Sequence, residues 1–464
     1  MAHPYMANSV PALKRQMLDY IGVEDVEQLF EQIPAAHRLK QPLNLPPALS
    51  SESELRRHLA GLLARNVSCE ENLNFLGAGC WQHYVPAVCD EVVHRTEWLH
   101  SVFGGPSSDH GRNQAWFEYA SQLGELVGFD LVGLPVYSWG CAVGHAIRMA
   151  ARLNGRREVL LPRLIDPERL SVIRNYCEPA EMTSHIAVRL VEADPATGML
   201  DLADLRAKLS PRTAALYLET PGYLGTIEAN TREIAALAKA SGAETIIGAD
   251  PVSLGVLASP SELGADFAVG PTQPLGVHMN CGGGTGGYIA TRDDERYARQ
   301  YPTLMISIAE TLREGEFGFG LSLFHQTSYG LREKGNDWTG NSVYMWAVAN
   351  AAYMALLGPQ GFRELGEAIL ERSDYAARTL VTLPGVKIRP SGAFFKEFVV
   401  DFTASGRTVR DINRALLARG IFGGKDLAAE LPQFGQSALY CVTEIHSRAD
   451  LDRLTDTLRE VLAK

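Results

Sequence analysis

Between residues 130 and 250 the sequence repeatedly sets a short apolar run before a helical one. EVLLP precedes a helix from Pro167 to Asn175, AVRLVEA precedes LADLRAKL, AALYLET precedes Asn230 to Ala240, and TIIGADP closes the series. Strands alternating with helices at this spacing predict an α/β fold built on a mostly parallel, doubly wound sheet. Runs that are apolar at nearly every position, rather than at every second one, suit strands covered on both faces.

The last of these strands leads into the stretch of most chemical interest, Thr245 to Ala290. Thr245 to Gly248 is closed by Ala249-Asp250-Pro251, which puts the Asp250 carboxylate at the carboxyl end of a buried strand. Open α/β sheets bind ligands at that edge, so Asp250 is a candidate for holding a cationic group, against the plainer role of accepting hydrogen bonds from its own turn. Phe267 to Val269 forms a further strand, and Gly270 to Pro274 follows it. Gly282-Gly283-Gly284-Thr285-Gly286-Gly287 then reads either as a flexible hairpin or as a run of N–H groups, with the Thr285 hydroxyl, that accepts a phosphate.

Composition excludes some function classes. Among 464 residues the formal net charge is -11, and a surface that reads nucleic-acid phosphates needs clustered Lys and Arg instead. Seven cysteines without a CxxC pair read as reduced thiols. No apolar run approaches the ~18 residues of a spanning helix. A soluble, cytoplasmic protein with no membrane partner is expected.

The pattern divides the chain into an arm with helices for oligomer contacts (1–114), a large α/β domain (115–340) and a small C-terminal α+β domain (341–464). Ser9 to Phe30 is helical, divided at Gly22, and the Pro- and Leu-rich segment up to Leu49 is extended before Ser51 caps another helix. Gly77-Ala78-Gly79 is a tight turn that admits another backbone or a ligand, and His83 and Tyr84 behind it are pocket candidates. Residues 102–113, VFGGPSSDHGRN, are loop-like, with Asp109 and His110 as an adjacent acid/base pair. Ser138-Trp139-Gly140-Cys141 meets a helix N-terminus that favours an anion. Arg332, in the polar stretch 331–341, is a candidate for a substrate carboxylate. The commoner roles are interface residues for His83 and Tyr84, solvated charges for Asp109 and His110, and a surface salt bridge for Arg332.

The collinear segments IGVEDVEQLFEQIP, QPLNLPPALSSESELRRHL, NFLGAG with HYVPAV, ETPGYLGTIE, ADPVSLGVL, GADFAVGPTQPLG and LREK with TGN resemble the glycine cleavage system P-protein, subunit 1, over nearly the whole chain. The resemblance implies a fold-type I pyridoxal-phosphate (PLP) enzyme with a large sheet domain and a small C-terminal domain, working as an alpha/beta heteromer. It also implies glycine as a small amino-acid substrate and a lipoyl carrier protein as acceptor.

PLP enzymes carry the cofactor on a lysine and keep its ring nitrogen protonated with an acidic residue. Asp250 supplies the carboxylate, and Gly283, Gly284 and Thr285 are candidates for the phosphate. The place for the lysine holds Gly270 to Pro274, while Lys239 lies in a helix and Lys334 beyond the sheet domain. The expectation is therefore that a homologous, lysine-bearing beta-type chain carries PLP and that this chain completes its pocket. The family's Tyr-Thr-Pro-Tyr-Gln-Pro-Glu loop is replaced by Ser101 to Ser107, its Tyr-Asp-Gly turn by Tyr137-Ser138-Trp139, and its Gly-Glu-Gly-Gln by Gly270-Pro271-Thr272-Gln273. Two alternatives stay open: a specialised paralogue acting on another amino acid or acceptor, and a non-catalytic structural or regulatory subunit.

Overall fold

A computed structural model of the chain describes residues 3–463, except 4, 99–105, 180, 323, 327, 336–338 and 340–342. Its contacts divide it into two units, Met1–Val67 and Ser68–Lys464. Of the expected 1–114 arm, then, the part from Ser68 onward belongs with the sheet-bearing unit.

In the first unit the helix Pro11–Ile21 starts with Pro at its first position and stops at Gly22, whose φ of +85° suits a left-handed helix end. Its N-cap is Val10 rather than Ser9. A second helix, Glu52–Leu63, follows Ser51, which occupies the cap position without a side-chain hydrogen bond. Among the described residues of this unit only Leu18 is buried, and the apolar side chains of Leu55, Leu59, Leu62 and Leu63 stand exposed on one helix.

The second unit is organised by a seven-stranded sheet among the described residues. In chain order its strands are β1 (Leu131–Val132), β2 (Glu158–Pro162), β3 (Ala187–Val191), β4 (Thr213–Glu219), β5 (Glu244–Gly248), β6 (Phe267–Pro271) and β7 (Gly287–Thr291). Across the sheet they run β1-β7-β6-β5-β4-β2-β3. Neighbours from β3 to β6 are parallel, and β7 is antiparallel to both β6 and β1. Every residue of β2, β4, β5, β6 and β7 is buried, as apolar runs between two helical layers require. The helix Trp139–Asn154 covers one face with Ala142, Val143, Ala146, Ile147 and Ala150, packed with Val159, Tyr217 and Ile246. Each fully buried Ile or Val contributes roughly 1.5–3 kcal/mol.

Glycine and proline split the long apolar helix that follows. Tyr344–Leu380 is two helices meeting at Gly358, where φ is +59° and ψ is -179°, just before Pro359. The C-terminal strands β8 (Lys387–Ile388), β9 (Glu397–Asp401), β10 (Lys425–Asp426) and β11 (Ser437–Cys441) form an antiparallel sheet in the order β8-β9-β11-β10. Leu73–Asn74 pairs in parallel with Ile421–Phe422, so the segment leading to the Gly77–Gly79 turn is fastened to the C-terminal part of the chain. The seven cysteines are all free thiols.

One expectation changes here. The helix Pro106–Val127 begins inside the stretch read as a loop, so Asp109 and His110 stand in its first turns; their side chains lie outside the described residues, as do residues 101–105 altogether. A proline at the first helical position tolerates its missing N–H, which is how the helix starts where the residue pattern looks like a turn.

Candidate functional site

Asp250 ends β5 as expected, and both of its oxygens are engaged. Oδ1 accepts the Val252 N–H at 3.1 Å and caps the short helix Pro251–Gly255. Oδ2 lies 2.6 Å from Nζ of Lys396, with both side chains buried. This contact is an ion pair without hydrogen-bond alignment, which leaves Oδ2 without an aligned donor. Asp250 thus organises its own turn and pairs with an ammonium from within the chain.

That cation is the residue sequence reasoning missed. Lys396 lies just before β9, in the C-terminal part of the chain, and its φ of +48° is left-handed. For a residue with a Cβ this costs roughly 1–2 kcal/mol, and such outliers gather where a side chain must be aimed. Here the aim is inward. Nζ sits 3.3 Å from the centroid of the Trp81 ring and 3.2 Å from Nε2 of His83. His83, through Nδ1, pairs with Glu444 at 2.8 Å. Asp250, Lys396, His83 and Glu444 thus form one continuous polar chain with a carboxylate at each end, drawn from the turn after β5, the segment before β9, the stretch after the glycine turn, and the turn after β11.

The glycine turn is part of the same construction. Ala78 donates its N–H to Oε1 of Glu397 at 2.6 Å, and a Cβ at Gly77 would stand 2.2 Å from that oxygen. The close approach anticipated for these small residues is made by a buried carboxylate. Burial pushes the Glu397 carboxyl up to about 7, against the pull of the Ala78 N–H and Lys396. Burial also opposes the charge of Glu444, but His83 and the Tyr84 N–H overcome it and hold that carboxyl down at about 2.

Beside Lys396, Arg169 and Glu219 form a second buried ion pair at 2.6 Å. The Arg169 guanidinium lies over the Trp139 ring, 3.5 Å from its centroid. Ser138 Oγ accepts the Cys141 N–H at the N-terminus of the helix Trp139–Asn154. Gly79, Trp81, Trp139, Arg169, Asp250 and Lys396 line a common cavity, and the space left among them is about 10 Å³, room for about one water molecule.

A PLP group does not fit this arrangement. Its ring nitrogen would have to reach Asp250 where Lys396 already stands. The small-residue turn that would take its phosphate presents Trp139 instead. Lys396 is not placed to carry the cofactor either: a carrying lysine and the carboxylate that pairs with the ring nitrogen stand across the ring from one another, and here the two groups touch.

The other predicted residues sit elsewhere. Tyr84 projects into solvent, 65% exposed, and contributes only its N–H, donated to Glu444 at 2.7 Å. Gly283 and Gly284 are exposed and Thr285 half-buried, outside the Asp250 cavity. The loop they form is tethered by the Trp346 indole N–H, which donates to the Gly284 carbonyl at 2.7 Å, and by the Thr272 hydroxyl, which donates to that of Thr285 at 3.3 Å. Gly270 packs under Ala249 and Tyr288, and Gln273 bonds to Trp81 and Val277, so the segment in the lysine's place is structural. Arg332 is exposed, with a left-handed φ of +53°.

Comparison with known proteins bears on this geometry. The model of the glycine cleavage system P-protein family matches residues 5–458. The chain is 34% identical over 474 residues to the probable glycine dehydrogenase (decarboxylating) subunit 1 of Staphylothermus marinus, covering 99% of this chain and 98% of that protein. It is 35% identical to the protein of the same name from Pyrococcus horikoshii, with both covered in full. Among solved structures, an inhibitor-bound glycine decarboxylase (P-protein) of the glycine cleavage system superposes with a TM-score of 0.86 at 30% identity, covering 99% of this chain and all of that one. A sphingosine-1-phosphate lyase from Burkholderia pseudomallei shares the fold, with a TM-score of 0.63 at 16% identity over 93% of this chain and 95% of the lyase. Its helix-flanked, mostly parallel sheet is that of the fold-type I PLP enzymes, and the chain belongs to the glycine cleavage system P-protein family.

Proposed function

We propose that this chain is the cofactor-free subunit of a heteromeric glycine decarboxylase, and that a homologous lysine-bearing chain carries PLP in a pocket this chain completes. The single observation that supports this reading is the contrast between a family match running end to end and an Asp250 cavity filled by Lys396 and Trp139. When bound, PLP supplies the electron sink into which a substrate amino acid loses its carboxylate. The contribution of this chain is to close the partner's pocket against water and to position the substrate.

Two exposed features are offered for that role. Arg332 is free to meet the carboxylate of glycine or another small amino acid, and Gly283, Gly284 and Thr285 present N–H groups and a hydroxyl to the cofactor phosphate on the partner. Lipoyl carrier protein is the proposed acceptor of the remaining aminomethyl group. Free thiols at all seven cysteines, and the lack of any helix among the described residues long and apolar enough to cross a membrane, agree with a cytoplasmic location.

The test is reconstitution. Purified alone, the chain is expected to show no visible absorbance of a lysine-bound pyridoxal and no exchange of labelled bicarbonate into glycine; with the partner, both are expected. Activity of the single chain overturns the reading. A complex that exchanges carboxylate only on a different amino acid assigns it to a specialised paralogue, and full activity of the partner by itself makes this chain a structural subunit.

A further inference from the structure

The Asp250 cavity keeps the outline of a cofactor site while holding a group of its own. Lys396 and Asp250 are each about 2% exposed, and a buried charge persists only where an opposite charge or aligned dipoles offset its lost hydration. Lys396 has three such partners from two other parts of the chain: the Asp250 carboxylate, and, from the segment after the glycine turn, the Trp81 ring face and His83 Nε2. Its left-handed backbone turns the butylammonium arm away from the strand direction and into the cavity.

We propose that Lys396 is the resident cation of this cavity. Its ammonium takes the position beside Asp250 that a protonated ring nitrogen would fill, and so makes the vacated cofactor site a structural charge lock joining the large sheet to the C-terminal sheet. The inference deepens the reading of the chain as a cofactor-free subunit and rests on it. It goes further in assigning to Lys396 a binding site specific for a primary alkylammonium. Shortening the side chain leaves a cavity shaped for such an ion, with a carboxylate at its end and an indole face along its side.

The experiment uses the full chain. Lys396→Ala is expected to lower Tm by at least about 5 °C, because it strands a buried carboxylate. Millimolar propylammonium chloride is expected to restore most of that loss, while propanol, tetramethylammonium and sodium chloride are not. Should Lys396→Ala fail to fold, the neutral near-isostere Lys396→Met and the double variant Lys396→Met/Asp250→Asn carry the test, the double variant being expected to melt above either single one. In parallel, wild-type chain is incubated with PLP, reduced with borohydride and peptide-mapped; Lys396 is expected to stay unlabelled while exposed lysines react.

Equal effects of propylammonium and propanol, or simple additivity in the double variant, overturn the charge lock. One equivalent of label on Lys396 overturns it too. None of these measurements involves the partner chain, so their failure is distinct from failure of the reconstitution assay.

Discussion

Arg169 donates to Glu219 at 2.6 Å with both side chains buried, its guanidinium lying over the Trp139 ring. Burial pushes the Glu219 carboxyl up more strongly than Arg169 draws it down, so the pair holds together at the expense of hydration. Removing one partner leaves an uncompensated charge in the core. Glu219→Gln or Arg169→Met alone is expected to cost about 3–5 kcal/mol, and the double variant Arg169→Met/Glu219→Gln to recover much of it. Urea unfolding of the three variants checks this; additive losses would count against the pair as a coupled unit.

Glu444 and Glu397 give opposite pH dependences. The folded Glu444 carboxyl titrates at about 2, against 4.5 for the ordinary group. Its contribution is present above pH 4.5 and is lost as pH falls from there towards 2. Glu444→Gln should flatten the acid limb of a plot of stability against pH.

Glu397 titrates at about 7 in the fold, against 4.5 for the ordinary group. The folded state therefore holds its proton more firmly, and this residue costs stability progressively as pH rises from 4.5 to 7. In Glu397→Gln that decline should disappear, so wild type and variant converge at low pH and separate near neutrality. Chemical unfolding between pH 4 and 8 measures it.

Gly225 has φ of +81°, and a Cβ there would stand 1.8 Å from the Glu397 carbonyl oxygen. Gly225→Ala is expected to cost about 3 kcal/mol or more, overpacking and a disfavoured backbone acting together. Gly406, also left-handed with φ of +73° but with open space at its Cβ, serves as the control. Gly406→Ala should be much the milder of the two by thermal melting.

On the helix Glu52–Leu63, Leu59 and Leu62 are 47% and 46% exposed. Exposed leucines at helical spacing present the kind of apolar helix face that a partner can cover. In the full chain Leu59→Glu/Leu62→Glu should leave Tm unchanged and weaken capture of the proposed lysine-bearing subunit by more than about tenfold, a change of ~1.4 kcal/mol. Unaltered affinity in a binding titration would remove this helix from the heteromer interface.

How much was legible in the sequence follows from how local each feature is. The strands β2 to β6 and their helices were readable because apolar periodicity and turn residues act within a few positions, and Asp250 fell at a strand end for the same reason. The glycine turn announced a close approach, though not that Glu397 would make it. The start of the helix at Pro106 was hidden because glycine, serine and proline mark turns and helix starts alike.

The sequence by itself therefore determined the α/β class, the family, and a carboxylate waiting at the edge of the sheet. Only the tertiary structure decided what that carboxylate holds. Lys396 reaches Asp250 from a separate sheet through a left-handed backbone, and Trp81 and His83 arrive from beyond the glycine turn. No periodicity records such a meeting, because the energy that selects it, the pairing of buried charges drawn from distant segments, exists only once the core has excluded water.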